Sequence, residues 1–195
     1  MDEQYFEDQQ FEGLRYSGET FAYLRFTDCT FVDCVFEECR LVGCSFAGCT
    51  FQKCKIAGLK AADHTQIQYA AFTGCHLLSI PWGDLQPAGR FAEPIRKLED
   101  CCLRYNTFVE MNLQKFDFSE AEICDSMFAQ CQLTECKFSH CNLERTEFFQ
   151  CDLRKADFRN ACGYQIELMS SQLRGARFSF PEVVRLLDSM EIKID

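Results

Sequence analysis

Large apolar residues recur at every fifth position through most of the chain. Counting in fives from Phe21 gives Phe, Phe, Phe, Phe, Leu, Phe, Phe and Ile, ending at Ile56. A second run starts at Leu103 and continues in the same steps to Phe158. A period of five fits neither the 3.6-residue helix nor the two-residue strand. The pattern therefore predicts a coil of short sides, each with one large apolar centre pointing inward.

The five-residue frame is interrupted at three places. It lapses at Ala61 and resumes at Ile67, shifted by one residue, and it then runs on to Trp82. It breaks across residues 83–97, where Gly, Pro and mixed charge predict a loop that projects from the wall. Gly163 is the third interruption. After it, the frame predicts three closing centres, Leu168, Leu173 and Phe178.

The residue two before each centre is small and is most often cysteine. Twelve of the fifteen cysteines occupy this position. Cysteine is small and weakly polar, so it suits a crowded interior without requiring a strong hydrogen bond. Stacked thiols would be close enough for disulfides on distance alone, but parallel side chains and a reducing compartment argue against them. The cysteines are thus predicted to be structural, with these taken as representative core positions: Cys29, Cys34, Cys131 and Cys136.

The repeat units resemble those of the pentapeptide-repeat family, whose loose motif is small-Asp/Asn-Leu/Phe-x-x. Clean copies are CNLER (141–145), CDLRK (151–155) and ADFRN (156–160). The resemblance covers about residues 20–178. It implies an all-β fold, a right-handed four-sided β-helix with four pentapeptides in each 20-residue turn. Residues 1–178 would form this coil.

Four sides per turn place residues 20 apart in the chain on top of one another. Between 103 and 158 the centres alternate between Phe and Leu or Ile, so two opposite sides supply Phe columns and two supply aliphatic columns. Alternating large and smaller groups fill a narrow interior without voids. The predicted stacks are Phe108, Phe128 and Phe148 on one side, and Phe118, Phe138 and Phe158 on the other.

Residues 179–195 break from the repeat and predict a terminal helix followed by a short strand. Pro181 suits the first turn of a helix, apolar residues follow at helical spacing, and EIKI (191–194) alternates like a strand. The segment resembles the end of the gyrase-protecting members of the family, especially the albicidin-resistance members, which implies a homodimer. The alternative is a plain cap on the coil. The implied dimer interface is Val183, Leu186, Leu187, Met190 and Ile192.

The chain is acidic, with 20 basic and 30 acidic residues and a net charge of −10. This balance argues against direct binding to nucleic acid. The negative charge is concentrated in residues 1–39, net −8, and 98–152, net −7. We expect no membrane segment, because no apolar run reaches the roughly 18–20 residues of a span. The acidic start lacks a signal peptide's features, which predicts a cytoplasmic protein with reduced thiols.

No catalytic or metal-binding pattern stands out. The histidines, His64, His76 and His140, are scattered, and no CxxC pair occurs. A zinc site requires four converging ligands, and no P-loop or Ser-His-Asp fingerprint is present. The sequence therefore predicts neither an enzyme nor a resident cofactor or metal.

Two functions remain. Resemblance to the gyrase-protecting members implies a DNA mimic that binds DNA gyrase, or topoisomerase IV, and protects it from a poison such as albicidin or a quinolone. An acidic coil about as wide as duplex DNA suits a basic groove built for phosphates, although outward charge is also what any soluble repeat protein needs. The alternative is a non-catalytic scaffold or effector with another protein partner. The candidate partner contacts are Trp82, Asp84, Arg90, Phe91, Glu99, Asp100, Asp117 and Glu120.

Overall fold

A computed structural model of the protein describes residues 4–87, 93–190 and 192. The chain divides into two compact units, Met1–Cys102 and Leu103–Asp195. Each unit is a coil of short parallel strands, mostly two to five residues long. The predicted all-β, parallel, four-sided coil is confirmed.

In the first unit, strands one turn apart stack into four columns, one on each side of the coil; the stacked residues are 20 apart before Ala61 and 21 or more apart after it. The columns are β1-β5-β9-β13, β2-β6-β10-β14-β16, β3-β7-β11-β15 and β4-β8-β12. Their bounds are β1 (Gln4–Glu7), β2 (Gln10–Glu12), β3 (Arg15–Ser17), β4 (Thr20–Ala22), β5 (Leu24–Thr27), β6 (Thr30–Val32), β7 (Val35–Glu37), β8 (Arg40–Val42), β9 (Ser45–Ala47), β10 (Thr50–Gln52), β11 (Lys55–Ala57), β12 (Lys60–Ala62), β13 (Gln66–Gln68), β14 (Ala70–Thr73), β15 (His76–Leu78) and β16 (Ile95–Glu99).

The corners explain why a five-residue repeat makes a four-sided turn. Two residues after a centre, the backbone enters the left-handed region, as at Asp28 (φ 51°), Asp33 (φ 49°) and Glu38 (φ 51°). Asp, Asn and Gly tolerate this region better than most residues. The corner amide then bonds to the next turn, for example from Asp28 to the Ala47 carbonyl at 2.8 Å. One left-handed residue per repeat thus turns the chain and closes the hydrogen-bond ladder.

A single inserted residue accounts for the frame shift after Ala61. Phe31 pairs with Phe51 across 20 residues, but Phe51 pairs with Phe72 across 21. The extra residue lies at the corner where both Asp63 and His64 have positive φ. There the Thr65 hydroxyl is buried and donates to a backbone carbonyl of the neighbouring turn. The insertion is absorbed locally, and the column continues in register.

The interruption predicted at 83–97 is shorter than expected, because part of it belongs to the wall. Strand β16 pairs with β14 and places Leu98 beside Phe72. A 3₁₀ turn, Trp82–Leu85, precedes it, with Leu85 fully buried. Gly83 lies within the 3₁₀ turn, and Pro87 and Pro94 lie between the turn and the strand.

The second unit has fewer regular strands, and isolated bridges continue the ladder between them. Its Gln132 bridges both Asn112 and Asp152, one turn away on either side. The strand bounds are β17 (Cys102–Arg104, at the boundary), β18 (Thr107–Val109), β19 (Glu122–Cys124), β20 (Met127–Ala129), β21 (Asn142–Phe149), β22 (Asp157–Phe158), β23 (Cys162–Ile166) and β24 (Arg177–Phe178).

Near Gly163 the chain reaches one side of the coil two residues early and regains them by Gln172, and this corrects the predicted frame locally. Thr146 pairs with Tyr164 and Phe148 with Ile166, each 18 residues apart. Ile166 is therefore the buried centre of this turn, while the predicted centre Leu168 is only half-buried. The frame recovers by Phe178, whose ring stacks on Phe158 with centroids 5.2 Å apart.

The terminal helix predicted after Pro181 is present as a 3₁₀ segment, Glu182–Met190. A carboxylate oxygen of Glu182 accepts a hydrogen bond from the Gly163 amide at 2.7 Å and pairs with Arg185 at 2.9 Å. Of the predicted strand 191–194, only Ile192 lies within the described residues. In the part of the chain that the structure describes, no helix has the length and apolar character to cross a bilayer.

Candidate protein-interaction surface

The interior of the second unit holds its surface side chains in fixed columns. Phe128 stacks between Phe108 and Phe148, with ring centroids 4.3 and 4.9 Å away. It also meets Phe138 of the opposite column edge to face, at 5.9 Å and 81°. Stacked and edge-to-face contacts are both favourable ring geometries. All six predicted stacking rings are buried, including Phe118 and Phe158.

The four representative core cysteines are buried thiols, and no disulfide forms. Each thiol donates to a backbone carbonyl; the Cys29 thiol lies 3.4 Å from the Phe6 oxygen one turn away, and the Cys136 thiol 2.7 Å from that of Leu113. Burial raises the pKa of Cys136 to about 12, so its thiolate, the form that attacks or binds metal, is suppressed. Among residues 4–87 and 93–190, no three His, Cys, Asp or Glu side chains converge as metal ligands.

Four exposed carboxylates of the first unit form what we call the N-terminal acidic face: Glu7, Asp8, Glu12 and Asp28. Within the described part of the chain, none of the four makes an ion pair. Asp8 and Asp28 occupy the same corner one turn apart, and both have positive φ. Like charges stacked at a turn spacing of ~4.8 Å repel, so this face favours a cationic partner.

The acids of the next turns are neutralised by neighbours. Lys55 pairs with Glu37 at 2.6 Å, and Lys60 with Glu38 at 3.3 Å. Arg15 pairs with Asp33 at 3.1 Å. Among the described residues of 1–39, the carboxylates without an ion pair are therefore those of the N-terminal acidic face and Glu19. Sequence reasoning had this charge count but placed its candidate contacts elsewhere.

In the second unit, ion pairs between and within turns compensate most of the acidic block. Lys137 pairs with Asp117 at 2.8 Å and Lys155 with Glu135 at 3.2 Å, each bridging two turns. The Arg154 guanidinium hydrogen-bonds Asp152 at 2.5 Å and holds the pKa of that carboxyl below its usual value. Comparable pairs join Arg145 to Asp125 and Arg159 to Asp157. The local field here is weaker than the formal charge of 98–152 indicates.

The structure places the predicted loop contacts in different settings. Trp82 is 1% exposed and packs edge to face on Phe72 at 5.5 Å, so it lies in the interior rather than on a contact surface. This follows from its place at a centre of the five-residue frame. Asp84 is exposed on the 3₁₀ turn. Arg90 and Phe91 lie outside the described residues.

The remaining predicted contacts are exposed but scattered. Glu99 pairs with Lys97 at 2.7 Å. Asp100 is exposed at a left-handed corner, with φ 52°. Asp117 is held by Lys137, whereas Glu120 is exposed and has no ion pair within the described residues. The structure does not gather these side chains into one surface within either unit.

The implied dimer residues lie at a partly uncovered apolar surface. Val183, Leu186 and Leu187 are half-buried, whereas Met190 is 47% exposed and Ile192 45%. Phe180 is 83% exposed just before the helical segment. We call Phe180, Met190 and Ile192 the C-terminal apolar patch. Phe180 was missed from the sequence because it lies outside both the five-residue frame and the helical pattern.

Comparison with known families finds one match. The family described as pentapeptide repeats matches in eight copies, at residues 22–60 and 126–162. The matched ranges fall on either side of the frame shifts at 63–64 and 83–97. No protein with curated annotation matches the chain.

The solved structures that match the chain do so at low sequence identity and with TM-scores below 0.5. Full-length QnrB1, a plasmid-mediated fluoroquinolone resistance protein, is 17% identical, covering 94% of this chain and 100% of that one, with a TM-score of 0.43. HetL, involved in heterocyst differentiation regulation in the cyanobacterium Nostoc sp. strain PCC 7120, is 13% identical, covering 89% and 86%, with a TM-score of 0.43. Rfr23 from the cyanobacterium Cyanothece 51142 is 12% identical, covering 90% and 88%, with a TM-score of 0.24.

Proposed function

We propose that this chain belongs to the pentapeptide-repeat family and is a cytoplasmic, non-catalytic DNA mimic that binds DNA gyrase and protects it from a topoisomerase poison. The N-terminal acidic face carries this proposal. Its carboxylates are exposed, and in the described part of the chain none makes an ion pair. They project from turns whose backbone is fixed by ladder hydrogen bonds. Fixed, unneutralised negative charge is what a groove for DNA phosphates recognises.

The density of this charge is comparable with that of a duplex. Four carboxylates lie on two neighbouring turns, roughly 5 Å apart at one turn spacing. The same length of duplex DNA carries about three phosphates. A net charge of −10 adds long-range attraction toward a basic groove. Because the second acidic block is largely paired, we expect the first unit to dominate binding.

A gyrase supercoiling assay tests the proposal. Purified protein is titrated into gyrase and relaxed plasmid, with albicidin, with a quinolone and with neither. Restored supercoiling under one poison is the expected result and identifies the class of drug. Neither rescue nor inhibition at micromolar protein would contradict gyrase protection.

A pair of matched variants tests whether the N-terminal acidic face is responsible. The double change Asp8→Asn and Asp28→Asn removes two unpaired charges, and Asn tolerates the left-handed corner. The control, Glu37→Gln with Glu38→Gln, removes the same formal charge from acids already paired with lysine. We expect the first variant to need several-fold more protein for rescue, and the control to match wild type. Equal loss in both would mean that net charge, rather than this face, governs binding.

A second candidate function is a non-catalytic scaffold with another protein partner. The observation that favours it is the ion pairing across the second unit, which leaves a mixed rather than a DNA-like charge pattern. Affinity capture with the full chain separates the two functions. Retention of gyrase subunits supports the first, and retention of a different protein without gyrase supports the second.

We further propose that the chain forms a homodimer through its C-terminal end. The exposed side chains of the C-terminal apolar patch support this, together with the half-buried residues of the same helical segment. Apolar surface of this kind is usually covered by a partner in soluble proteins. A second copy of the chain would cover it.

A further inference from the structure

The interior of the first unit contains an open-ended apolar cavity of about 330 Å³. Its walls are the inward side chains of successive turns, from Phe6 in the first described turn to Trp82. An engineered protein cavity of about 150 Å³ with a similar apolar lining stays dry and binds benzene. This cavity is therefore large enough to hold an apolar ligand.

The order of the centres explains why the first unit has a cavity. In the second unit, Phe columns on opposite sides meet in the middle, as Phe128 and Phe138 do. In the first unit, the two columns richest in Phe lie on neighbouring sides, where the rings of Phe26 and Phe31 meet at 5.4 Å and 69°. On the side that faces the Phe31 column, the inward side chains become smaller along the chain, from Phe21 through Leu41 to Ala61. The space therefore opens opposite the Phe31 column.

Solvent reaches this space. Phe36 and Phe46 point inward from the middle turns, yet both are only half-buried, whereas Phe118 and Phe138 of the second unit are 0% exposed. At the first described turn, Phe6, Phe11 and Tyr16 are also half-buried. We take this turn as the mouth of the cavity.

The lining of the cavity offers water almost no hydrogen-bonding groups. Apart from the Trp82 indole, its polar side-chain group is the Tyr16 hydroxyl, which makes no hydrogen bond within the described residues. A buried water typically needs two to four polar partners. An alkyl chain has no hydrogen bonds to lose here and gains apolar contact along the whole cavity. A polar head group at the mouth can form a hydrogen bond with the Tyr16 hydroxyl.

Charge at the mouth selects the head group. Glu7, Asp8, Glu12 and Glu19 are exposed around the first turn, and none has an ion pair in the described part of the chain. An anionic head would be repelled by these carboxylates. We propose that the first unit binds the single alkyl chain of a neutral or cationic amphiphile, with its head at Tyr16 and its tail directed toward Trp82. This proposal does not depend on gyrase binding.

Trp82 provides the test, because it is the only tryptophan in the chain. Bromine quenches indole fluorescence on contact, so a chain brominated at its tip reports whether the tip reaches Trp82. From the mouth to Trp82 is about three turn spacings, ~14 Å, which an undecyl chain spans. The probes are 11-bromo-1-undecanol, (11-bromoundecyl)trimethylammonium, 11-bromoundecanoate and, as a control for collisional quenching, 2-bromoethanol.

We expect saturable quenching by the long alcohol and the long ammonium probe, and much weaker quenching by the carboxylate. Each methylene removed from the chain should weaken binding about fourfold. No quenching by either long probe, or equal quenching by 2-bromoethanol, would overturn the cavity as a binding site. Equal binding of the carboxylate would overturn the charge argument.

Two neighbouring alanines supply a matched pair of variants. Ala61 stacks on Leu41 in the inward column, so Ala61→Phe fills the cavity. Ala62 is the next residue of the same strand and faces outward, so Ala62→Phe adds the same ring outside. We expect quenching to be lost only in the first, with supercoiling rescue unchanged in both. If Ala61→Phe fails to fold, Leu41→Phe reduces the volume of the cavity from the same column. Quenching at the wild-type level in a folded variant of either kind would overturn the proposal.

Discussion

At the scale of single residues, the inward phenylalanines bear most of the packing. Phe128 is 0% exposed and lies between two stacked rings and two edge-on rings. Truncation to Ala leaves a cavity that neighbouring turns cannot fill, because their backbones are held by the ladder. Phe128→Ala should therefore lower the free energy of unfolding by ~3–5 kcal/mol. Chemical denaturation followed by circular dichroism measures it.

Phe149 is the matched control for that truncation. It follows Phe148 in the same strand but faces outward and is 46% exposed. Phe149→Ala should change the unfolding free energy by less than about 1 kcal/mol, because little apolar surface leaves the core. Similar losses in the two variants would mean that the inward stacks do not dominate stability.

Cysteine accessibility follows from the same inward positions. Cys162 is exposed and Cys102 half-buried, while the twelve cysteines that precede centres are buried. Burial raises the pKa of Cys49 and of Cys141 to about 12, and the thiolate is the reactive form. With iodoacetamide at pH 8, the folded protein should be labelled first at Cys162. Peptide mass spectrometry locates the adducts.

Unfolding is the control for this labelling experiment. In denaturant all fifteen cysteines should react, since burial no longer protects them or shifts their pKa. Rapid labelling of Cys29 or Cys34 in the folded protein would contradict the buried placement. It would also show that the coil opens on the timescale of the reaction.

At the scale of the element, Gly163 allows the corner before Tyr164 to be two residues shorter than the equivalent corner one turn earlier. Its φ is +78°, and a Cβ built there would lie 2.6 Å from the Glu144 Cα. Gly163→Ala therefore forces backbone apart, in addition to the ~1–2 kcal/mol that left-handed backbone costs an L-residue. We expect a markedly lower denaturation midpoint.

Gly175 separates the cost of left-handed backbone from the cost of the close approach to Glu144. Its φ of +79° is nearly the same, but a Cβ there would meet Lys155 Cγ at 3.4 Å, the middle of a flexible side chain. Gly175→Ala should therefore show the conformational cost alone. Equal destabilisation by the two variants would mean that the close approach to Glu144 relaxes without cost.

Elements that keep the five-residue frame were predictable from sequence, and elements that depart from it were not. Leu98 was missed because the Pro and Gly of 83–97 hid the strand that returns Leu98 to its column. Ile166 was missed because a two-residue deletion within a turn leaves no mark on spacing until the partner strand is known. At Thr65 the one-residue shift of the frame could be predicted from the sequence, but the hydrogen bond from the Thr65 hydroxyl to a neighbouring turn could not.

At the scale of the molecule, the distribution of free charge could be predicted only in part. Counting charges located two acidic blocks, but pairing depends on which residues share a corner one turn apart. Asp125 and Arg145 are 20 residues apart and meet, while Asp8 and Asp28 have the same spacing and repel. The acids of residues 1–39 therefore keep much of their negative electrostatic potential, whereas ion pairs weaken the potential of residues 98–152. The two units therefore differ in charge as well as in packing.

Assembly is the last property at this scale, and the C-terminal apolar patch makes it testable. Met190→Glu with Ile192→Glu places two charges where a second copy would bury apolar surface, and both side chains are exposed enough to leave folding intact. A desolvated, unpaired carboxylate at an interface costs far more than its exposed counterpart. We expect a shift from dimer to monomer in light scattering at micromolar concentration. Met169→Glu is the control, because Met169 is 82% exposed in the same unit but outside the helical segment. A dimer that survives the double change, or one that dissociates equally with Met169→Glu, would remove the C-terminal segment as the interface.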